Sequence, residues 1–555
     1  MPRPVLSRQD PGNHSQPGSR AGTGGALPAC RRRAGESRGG RTHPSLGQAR
    51  YTRAGVRDAC RCGRPPSRPG CGSARSPEFS TGNRAPRAAL TAAHVEEQSM
   101  PADRKRVDVS VLGAGAAGLA AARDLSQAGL RVTVIEARPR IGGRILTRHD
   151  PRSPVPLELG AEFVHGEAPE TLSVAQAAGL TVIELPATRE LATAGHFSQL
   201  GDLWGDVQRM NKELARRVAK RGKDFPVSEY LESARLPPLR RKLLRGFVEG
   251  FYAARPERLS AKSLGEEAAS DGGGEPSAGE RDETQFRILN GGDALMQWLR
   301  DGLDPERAEV RLSTVAHAIR WKRGQVAVVC RGGDGAAGES TVHARAVVIA
   351  LPAAVLKAGA LGFEPALPAK QRALAGIETG HVLKIVLRFR HAFWENPEFL
   401  KERRGNSNAD TGRLNFLHAP GAEIPTWWTS LPVRAPLLTG WVGGVTAETL
   451  LAEEPASRLE RGLVALSDVM AVPRRELEEN LDDWASHDWR ADPFARGAYS
   501  YIGVGGSDAP RALGRPVEGT LFFAGEATDG EQIGTVAGAL GSGRRAAREL
   551  LRATS

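Results

Sequence analysis

Apolar and polar positions follow two regimes along the chain, and the change falls near Met100. From Arg106 the pattern is that of a βαβ unit. Val107-Asp108-Val109-Ser110-Val111-Leu112 alternates at its start and ends on an apolar pair, which predicts a short strand. Gly113-Ala114-Gly115-Ala116-Ala117-Gly118 turns the chain, and Leu119–Ala128 has helical composition with Leu119, Ala122 and Leu125 on one face. Gly129 stands where a glycine stops a helix, and Arg131-Val132-Thr133-Val134-Ile135-Glu136 predicts the second strand. From about Thr171 to Arg258 the pattern is mostly helical, with amphipathic stretches over Val207–Ala219 and Leu239–Phe251. Ser270–Glu283, rich in Gly, Ser and acids, predicts a surface loop. Strands and short helices then alternate, among them strands Ala346–Leu351 and Val382–Phe389. Strand Thr520–Ala524, a Gly-rich turn and a helix over about Val536–Leu551 follow. No solenoid repeat is visible.

Composition changes the picture only before Met100. Met1–Ser99 holds 17 Arg, no Lys and 6 acids, a net of +11 out of +12 for all 555 residues. The same stretch has 11 Pro and 14 Gly but only four Leu, three Val, one Phe and no Ile, too little apolar surface to offset chain entropy. Residues 1–99 are therefore expected to be a disordered Arg/Pro/Gly-rich leader. Its Arg-rich, acid-poor composition suits a transit peptide or a nucleic-acid arm, but it lacks the apolar region of a secretory signal. A plainer reading is preferred: translation starts at Met100 and the leader is upstream sequence. The remaining chain is nearly neutral, which argues against nucleic acid as a partner. Four of five cysteines (Cys30, Cys60, Cys62, Cys71) lie in the leader without zinc spacing, and Cys330 stands alone. No disulfide framework or metal site is expected, and a reducing, cytoplasmic location fits. No stretch reaches the roughly 18 apolar residues of a membrane span.

A bare GxGxxG is a weak signal in a chain rich in Gly and Ala; its context strengthens it here. Gly113 permits the tight turn, Gly115 lets backbone approach a pyrophosphate, and Gly118 allows close helix–strand packing. The helix amino terminus offers free N–H groups and a positive dipole end. Glu136, 18 residues past Gly118, ends the second strand where a carboxylate binds a ribose hydroxyl and disfavours a 2′-phosphate. A Gly-rich turn of an unrelated α/β domain is the competing explanation. Arg138-Pro139-Arg140-Ile141-Gly142-Gly143-Arg144 follows directly, where a Gly pair plus Arg144 suits a second approach to the pyrophosphate.

With these residues the sequence resembles the flavin amine oxidase family of monoamine oxidases, polyamine oxidases and flavin histone demethylases. The resemblance runs from about Arg106 to Leu551 in separated blocks. Gly113, Gly115, Gly118, Glu136, Arg138, Gly143 and Arg144 match the family's FAD-binding start. Glu158–Gly166, with Gly160, Ala161, Glu162 and His165, resembles the segment along the flavin ring. Asn290-Gly291-Gly292 resembles the turn re-entering the FAD domain, and Val315 the residue touching adenine. Leu351-Pro352 and the strand carrying Lys384 follow in the family's order, then Asp488–Pro493 with Trp489 and Gly497–Tyr501. Phe523–Thr528 through Gly534-Thr535-Val536 resembles the C-terminal FAD motif. There Gly525 and Glu526 are implied to meet the ribityl or pyrophosphate region, and the Thr535 and Val536 amides the pyrimidine ring.

Lys384 is the sharpest catalytic candidate. Val382, Lys384, Val386 and Arg388 share one face of their strand, and Leu383, Ile385, Leu387 and Phe389 the other. A lone Lys there is equally an edge gatekeeper or a snorkelling surface residue. The resemblance implies instead a lysine held through water at flavin N5, where a cation favours arriving negative charge. Tyr499 is implied to flank the flavin face, although a buried Tyr with its hydroxyl on a backbone carbonyl explains it too. Thr535 replaces the second Tyr of the monoamine-type cage. Ala498 replaces the flavin-linking cysteine, so non-covalent FAD is implied. Trp489 resembles a Trp lining the ring. Glu162 and His165 are substrate candidates, the carboxylate for a second ammonium, against the plain reading of a solvated Glu and a structural His.

Together these readings predict an α/β, two-domain, glutathione-reductase-like FAD-binding fold with an interleaved α+β substrate domain. The FAD domain would comprise 100–166, 286–351 and 486–555, and the substrate domain 167–285 and 352–485. The implied reaction is oxidation of a small-molecule amine to an imine that water hydrolyses, with O2 as acceptor and H2O2 as product. Three alternatives remain: a carotenoid- or porphyrinogen-type desaturase, an L-amino acid oxidase needing an Arg that no block singles out, and a flavoprotein whose leader docks nucleic acid.

Overall fold

Four stretches of chain, far apart in sequence, contribute the five strands of one parallel sheet. In the computed structural model, which describes residues 106–166, 168–270, 284–332, 338–405 and 413–554, its order is Ala308–Arg311, Val132–Ile135, Val109–Leu112, Ala346–Ile349 and Leu521–Phe523. Every neighbouring pair is parallel, with Val109 opposite Val132 on one side and Ala346 on the other. The inner strands are buried at every position, as a sheet covered on both faces requires. Their residues divide by the strand period. Val109, Val111, Val132, Val134, Ala346 and Val348 join a core with helices Ala116–Gln127 and Val536–Thr554. Leu112, Ile135, Val347 and Ile349 face a second core with Ile319, Val326 and Val328 of a four-stranded sheet.

The predicted helix Leu119–Ala128 forms one turn earlier, over Ala116–Gln127, and Gly129 (φ +91°) ends it as expected. A second, seven-stranded sheet runs Leu481–Ser486, Val382–Phe389, Leu437–Gly443, Thr426–Thr429, Phe416–His418, Arg189–Thr193 and His196–Gln199. Val382–Phe389 is paired on both sides and buried at all eight positions, so Lys384 is no edge gatekeeper. The predicted alternation holds: Leu383, Ile385, Leu387 and Phe389 enter one apolar core, while Arg388 on the other face binds Asp150, Asp482 and Asp483.

The stretch 171–258 departs from its helical expectation. Helices Leu203–Arg221 and Pro238–Gly250 form where amphipathicity placed them, but strands Val182–Glu184, Arg189–Thr193 and His196–Gln199 precede them. Ala194 and Gly195 both have positive φ (+48° and +78°) and close a tight hairpin, which lets Arg189–Thr193 pair with Phe416–His418. That long-range pairing overrides local propensity. Residues 271–283 of the predicted loop, and the leader 1–99, lie outside the described residues. No described helix is long and apolar enough to cross a membrane.

Candidate active site

A cavity of about 1990 Å³ runs from the Gly113–Gly118 turn to helices Leu203–Arg221 and Pro238–Gly250. Gly113, Gly115, Glu136, Arg138, Gly143, Arg144, Gly160, Ala161, Glu162, Val315, Gly525, Glu526, Thr535 and Val536 all line it, and so do Lys384, Tyr499, Trp489 and His165. Gly118 does not line it. A Cβ there would sit 1.8 Å from Gly113 O, so that glycine serves helix–strand packing.

At the fingerprint end, helix Ala116–Gln127 starts without a side-chain cap, leaving its first-turn amides to the cavity. Gly115 and Gly143 face each other across the groove: a Cβ built on Gly115 meets nothing nearer than Gly143 Cα at 3.9 Å. Glu136 is committed to backbone, accepting from Ala114 N (2.7 Å) and Arg138 N (2.9 Å). Arg138 pairs with Asp492 at 2.7 Å. Arg144 donates to Glu526 (2.8 Å) and to Ala498 O (2.9 Å), and Glu526 also accepts from Ser500 Oγ and Gly534 N. Thr535 caps the last helix, its hydroxyl accepting from Gly538 N at 2.9 Å. A Cβ on Gly160 would fall 2.0 Å from Arg144 O, so this glycine permits close passage of the two segments.

At the other end charges converge. Lys384 Nζ lies 2.5 Å from Glu162 Oε2 and donates to Gly160 O at 3.3 Å. Glu162 Oε1 accepts from Arg287 (2.9 Å) and from Trp428 Nε1 (3.1 Å). Burial pushes the Glu162 carboxyl up, but Lys384 and Arg287 outweigh it and hold the group below its ordinary value. Both oxygens are engaged, and the trio carries a net charge of +1, so Glu162 offers no uncompensated charge to a substrate ammonium. Nearby Glu158 accepts from Gly292 N and Thr147 Oγ1, and burial raises its pKa to about 7.

Tyr499 donates its hydroxyl to Phe251 O (2.8 Å) at the end of helix Pro238–Gly250, and desolvation raises its pKa. Only its ring is left to the cavity. Trp489 Nε1 donates to Leu159 O at 3.0 Å. Phe163, Trp428, Phe416, Trp204, Phe247 and Phe251 supply aromatic walls, with Phe247 and Phe251 stacked at 4.9 Å. Sequence reasoning missed Arg287, Trp428, Arg189 and His418. Arg287 had a readable signal, a lone cation in the short strand Gln285–Ile288 just before Asn290-Gly291-Gly292, comparable to Lys384.

Residues 116–551 match the family described as flavin containing amine oxidoreductase. The chain belongs to that family. Among curated relatives, probable polyamine oxidase 4 of Arabidopsis thaliana is 29% identical over 80% of this chain and 87% of its own length. Human lysine-specific histone demethylase 2 is 25% identical over 82% of this chain but 54% of its own length. Two solved structures share the mixed α/β fold at 21% identity, each covering 80% of this chain and 99% of its own. They are putrescine oxidase bound to putrescine (TM-score 0.66) and cyclohexylamine oxidase from Brevibacterium oxydans IH-35A (0.65).

This family member is a FAD-dependent amine oxidase. The glycine-bounded groove and uncapped helix start suit a pyrophosphate, and Ala498 offers no nucleophile for a covalent link.

Proposed function

We propose that this amine oxidase passes its electrons to O2 and releases H2O2, with Lys384 beside the reacting atoms. In balanced form, one amine, one water and one O2 are consumed, and one carbonyl compound, one smaller amine or ammonia and one H2O2 are formed. The C–H and N–H bonds of the amine give up two electrons and two protons, which end on O2, and the water oxygen becomes the carbonyl oxygen. FAD supplies the two-electron acceptor. The observation that carries the reading is the buried Lys384–Glu162 pair with Arg287 behind it. The net positive charge of Lys384, Arg287 and Glu162 favours negative charge as it develops on oxygen. It also disfavours a substrate ammonium at that point, so the nitrogen binds with its lone pair free for imine formation.

The same reading includes a division into an FAD domain and a substrate domain, which the origin of the strands supports. Strands of the parallel sheet come from 100–166, 286–351 and 486–555, and Lys384 comes from 352–485. The desaturase alternative is disfavoured because an apolar substrate gains nothing from a buried charged trio. The test is stoichiometry: each amine oxidised should consume one O2 and yield one H2O2. Turnover with a dye but none with O2 would overturn the oxidase reading.

A further inference from the structure

We propose that Glu158 is a fourth member of the Lys384–Glu162–Arg287 cluster, and that its gain or loss of a proton sets the charge the cluster presents to the reacting atoms; the proposal rests on the reading of Lys384 given above. Two cavities carry the connection. Glu162 lines the large cavity and also a separate chamber of about 30 Å³. Glu158 and Arg287 line that chamber with it, among Val386, Thr429 and Thr439. A space of that size has room for a water, which gives a proton a path to Glu158.

The two carboxyls are held differently. Glu162 meets two cations and an indole N–H, partners that keep it ionised. Glu158, 8% exposed, pairs with no cation among the described residues and accepts from Gly292 N at 2.7 Å and Thr147 Oγ1 at 2.9 Å. Thr147 stands opposite Glu158 in an antiparallel pair, and its hydroxyl can donate to a carboxylate or accept from a carboxyl. The same two hydrogen bonds therefore serve both states. Burial raises the Glu158 pKa to about 7 against the Gly292 N–H and the Lys384 charge, and the Glu162 charge adds to the rise. The other charged groups nearby have partners of their own. Asp293, next to Gly292, lies 2.9 Å from His149, and Arg148, next to Thr147, turns to Asp483 at 2.6 Å.

With Glu158 protonated, Lys384 and Arg287 against Glu162 leave a net charge of +1. With Glu158 ionised, two cations face two anions and the sum is zero. The charge that favours an anion on oxygen thus falls as pH rises through about 7. The coupling is reciprocal: an anion at the reacting position favours the protonated form of Glu158. Glu158 is a positioning residue in this sense, acting through Lys384 and Glu162.

Full-length, FAD-loaded wild type and Glu158→Gln test this, because glutamine keeps both hydrogen bonds and stays neutral. Infrared difference spectra between pH 5.5 and pH 8.5 should show a protonated-carboxyl band lost around a midpoint of about 7 in wild type, and no such loss in the variant. Sulfite, which bonds reversibly to oxidised flavin and bleaches it, reports the charge beside the ring without amine or O2. Comparing the two proteins at one pH cancels the ionisation of sulfite itself. They should bind it alike at pH 6, and wild type should bind it on the order of tenfold more weakly at pH 8.5. Flavin reoxidation by O2 should diverge in the same direction. Thr147→Val, which removes the hydroxyl that donates to the ionised form, should move the infrared midpoint and the sulfite profile to higher pH together. Sulfite binding that stays parallel in wild type and Glu158→Gln, or the absence of a band belonging to Glu158, would overturn the proposal and leave Glu158 a helix cap. Divergent sulfite binding in a protein that gives no turnover with O2 would keep the proposal and remove the oxidase reading. Parallel sulfite binding in a protein that yields one H2O2 per amine would do the reverse.

Discussion

Lys384 and Glu162 form a buried ion pair, Nζ to Oε2 at 2.5 Å, and Arg287 holds the opposite oxygen of the same carboxylate at 2.9 Å. The arrangement keeps two cations and one anion in a space that water does not reach freely. Such a cluster is costly to assemble, because desolvation offsets much of the Coulomb gain. Its position beside a cofactor-sized cavity therefore favours a role in chemistry over one in stability.

Lys384→Met should separate the two roles. Glu162 keeps Arg287 and Trp428 as partners, so FAD content and folding should stay close to wild type. Flavin reoxidation by O2 should slow on the order of a hundredfold, because the positive charge facing the developing anion is lost. Stopped-flow traces of anaerobic reduction and of reoxidation check this. Wild-type rates in both would remove Lys384 from the mechanism.

Glu162→Gln should do more damage to the fold. It leaves the Lys384 and Arg287 charges buried without their counterion, a loss of about 3–5 kcal/mol. The pH dependence has a definite sign. The folded carboxyl lies below its ordinary value of 4.5, so the stability it contributes is present above pH 4.5 and is lost as pH falls through the folded value. Urea unfolding between pH 3 and pH 7 should show the gap between wild type and variant narrowing on the acid side.

How far the sequence reached depends on the range of each interaction. The βαβ start is local: alternation, three glycines and a terminal Glu136 fall within thirty-odd residues, and Val109–Ile135 folds as those signals require. Lys384 stood out as a lysine in an apolar strand, but the residues alone left it even between a gatekeeper and a catalytic group, and the family resemblance tipped it. Its partners were not, since Glu162 and Arg287 approach it only after strands from distant segments assemble. Arg189 and His418 were hidden for the same reason, and a helical expectation for 171–258 concealed the hairpin that carries Arg189. Tyr499 supports two readings from sequence, and the structure divides them between its parts. The hydroxyl takes the structural one, on Phe251 O, while the ring lines the cavity.

Glu158→Gln should stabilise the protein, and only at higher pH. Burial raises the Glu158 pKa from 4.5 to about 7 in the fold. Between those values the unfolded chain ionises first, so folding loses stability as pH rises, by about 3 kcal/mol in all. Glutamine cannot ionise, yet it still accepts from Gly292 N and can donate to Thr147 Oγ1. Denaturation at pH 5 and pH 8 should show a gain over wild type that is small at the first and large at the second. An equal gain at both would mean the carboxyl is not the cause.

Gly115→Ala and Gly118→Ala should fail in different ways. A Cβ at Gly118 would fall 1.8 Å from Gly113 O, inside the turn itself, so the backbone must open and the parallel sheet loses its helix contact. That variant should be poorly folded with or without cofactor. A Cβ at Gly115 meets nothing closer than Gly143 Cα at 3.9 Å, and Gly115 has φ −82°, which alanine adopts freely. The apoprotein should therefore keep its unfolding midpoint within about 0.5 kcal/mol of wild type. The added methyl would instead occupy the groove where backbone must approach the pyrophosphate, displacing phosphate oxygens from the uncapped amides of helix Ala116–Gln127. FAD affinity should fall by about 1–3 kcal/mol, the loss of one or two charge-assisted hydrogen bonds. Apoprotein denaturation and fluorescence titration with FAD measure the two quantities separately. A Gly115→Ala protein with wild-type FAD affinity would place the pyrophosphate elsewhere in the cavity.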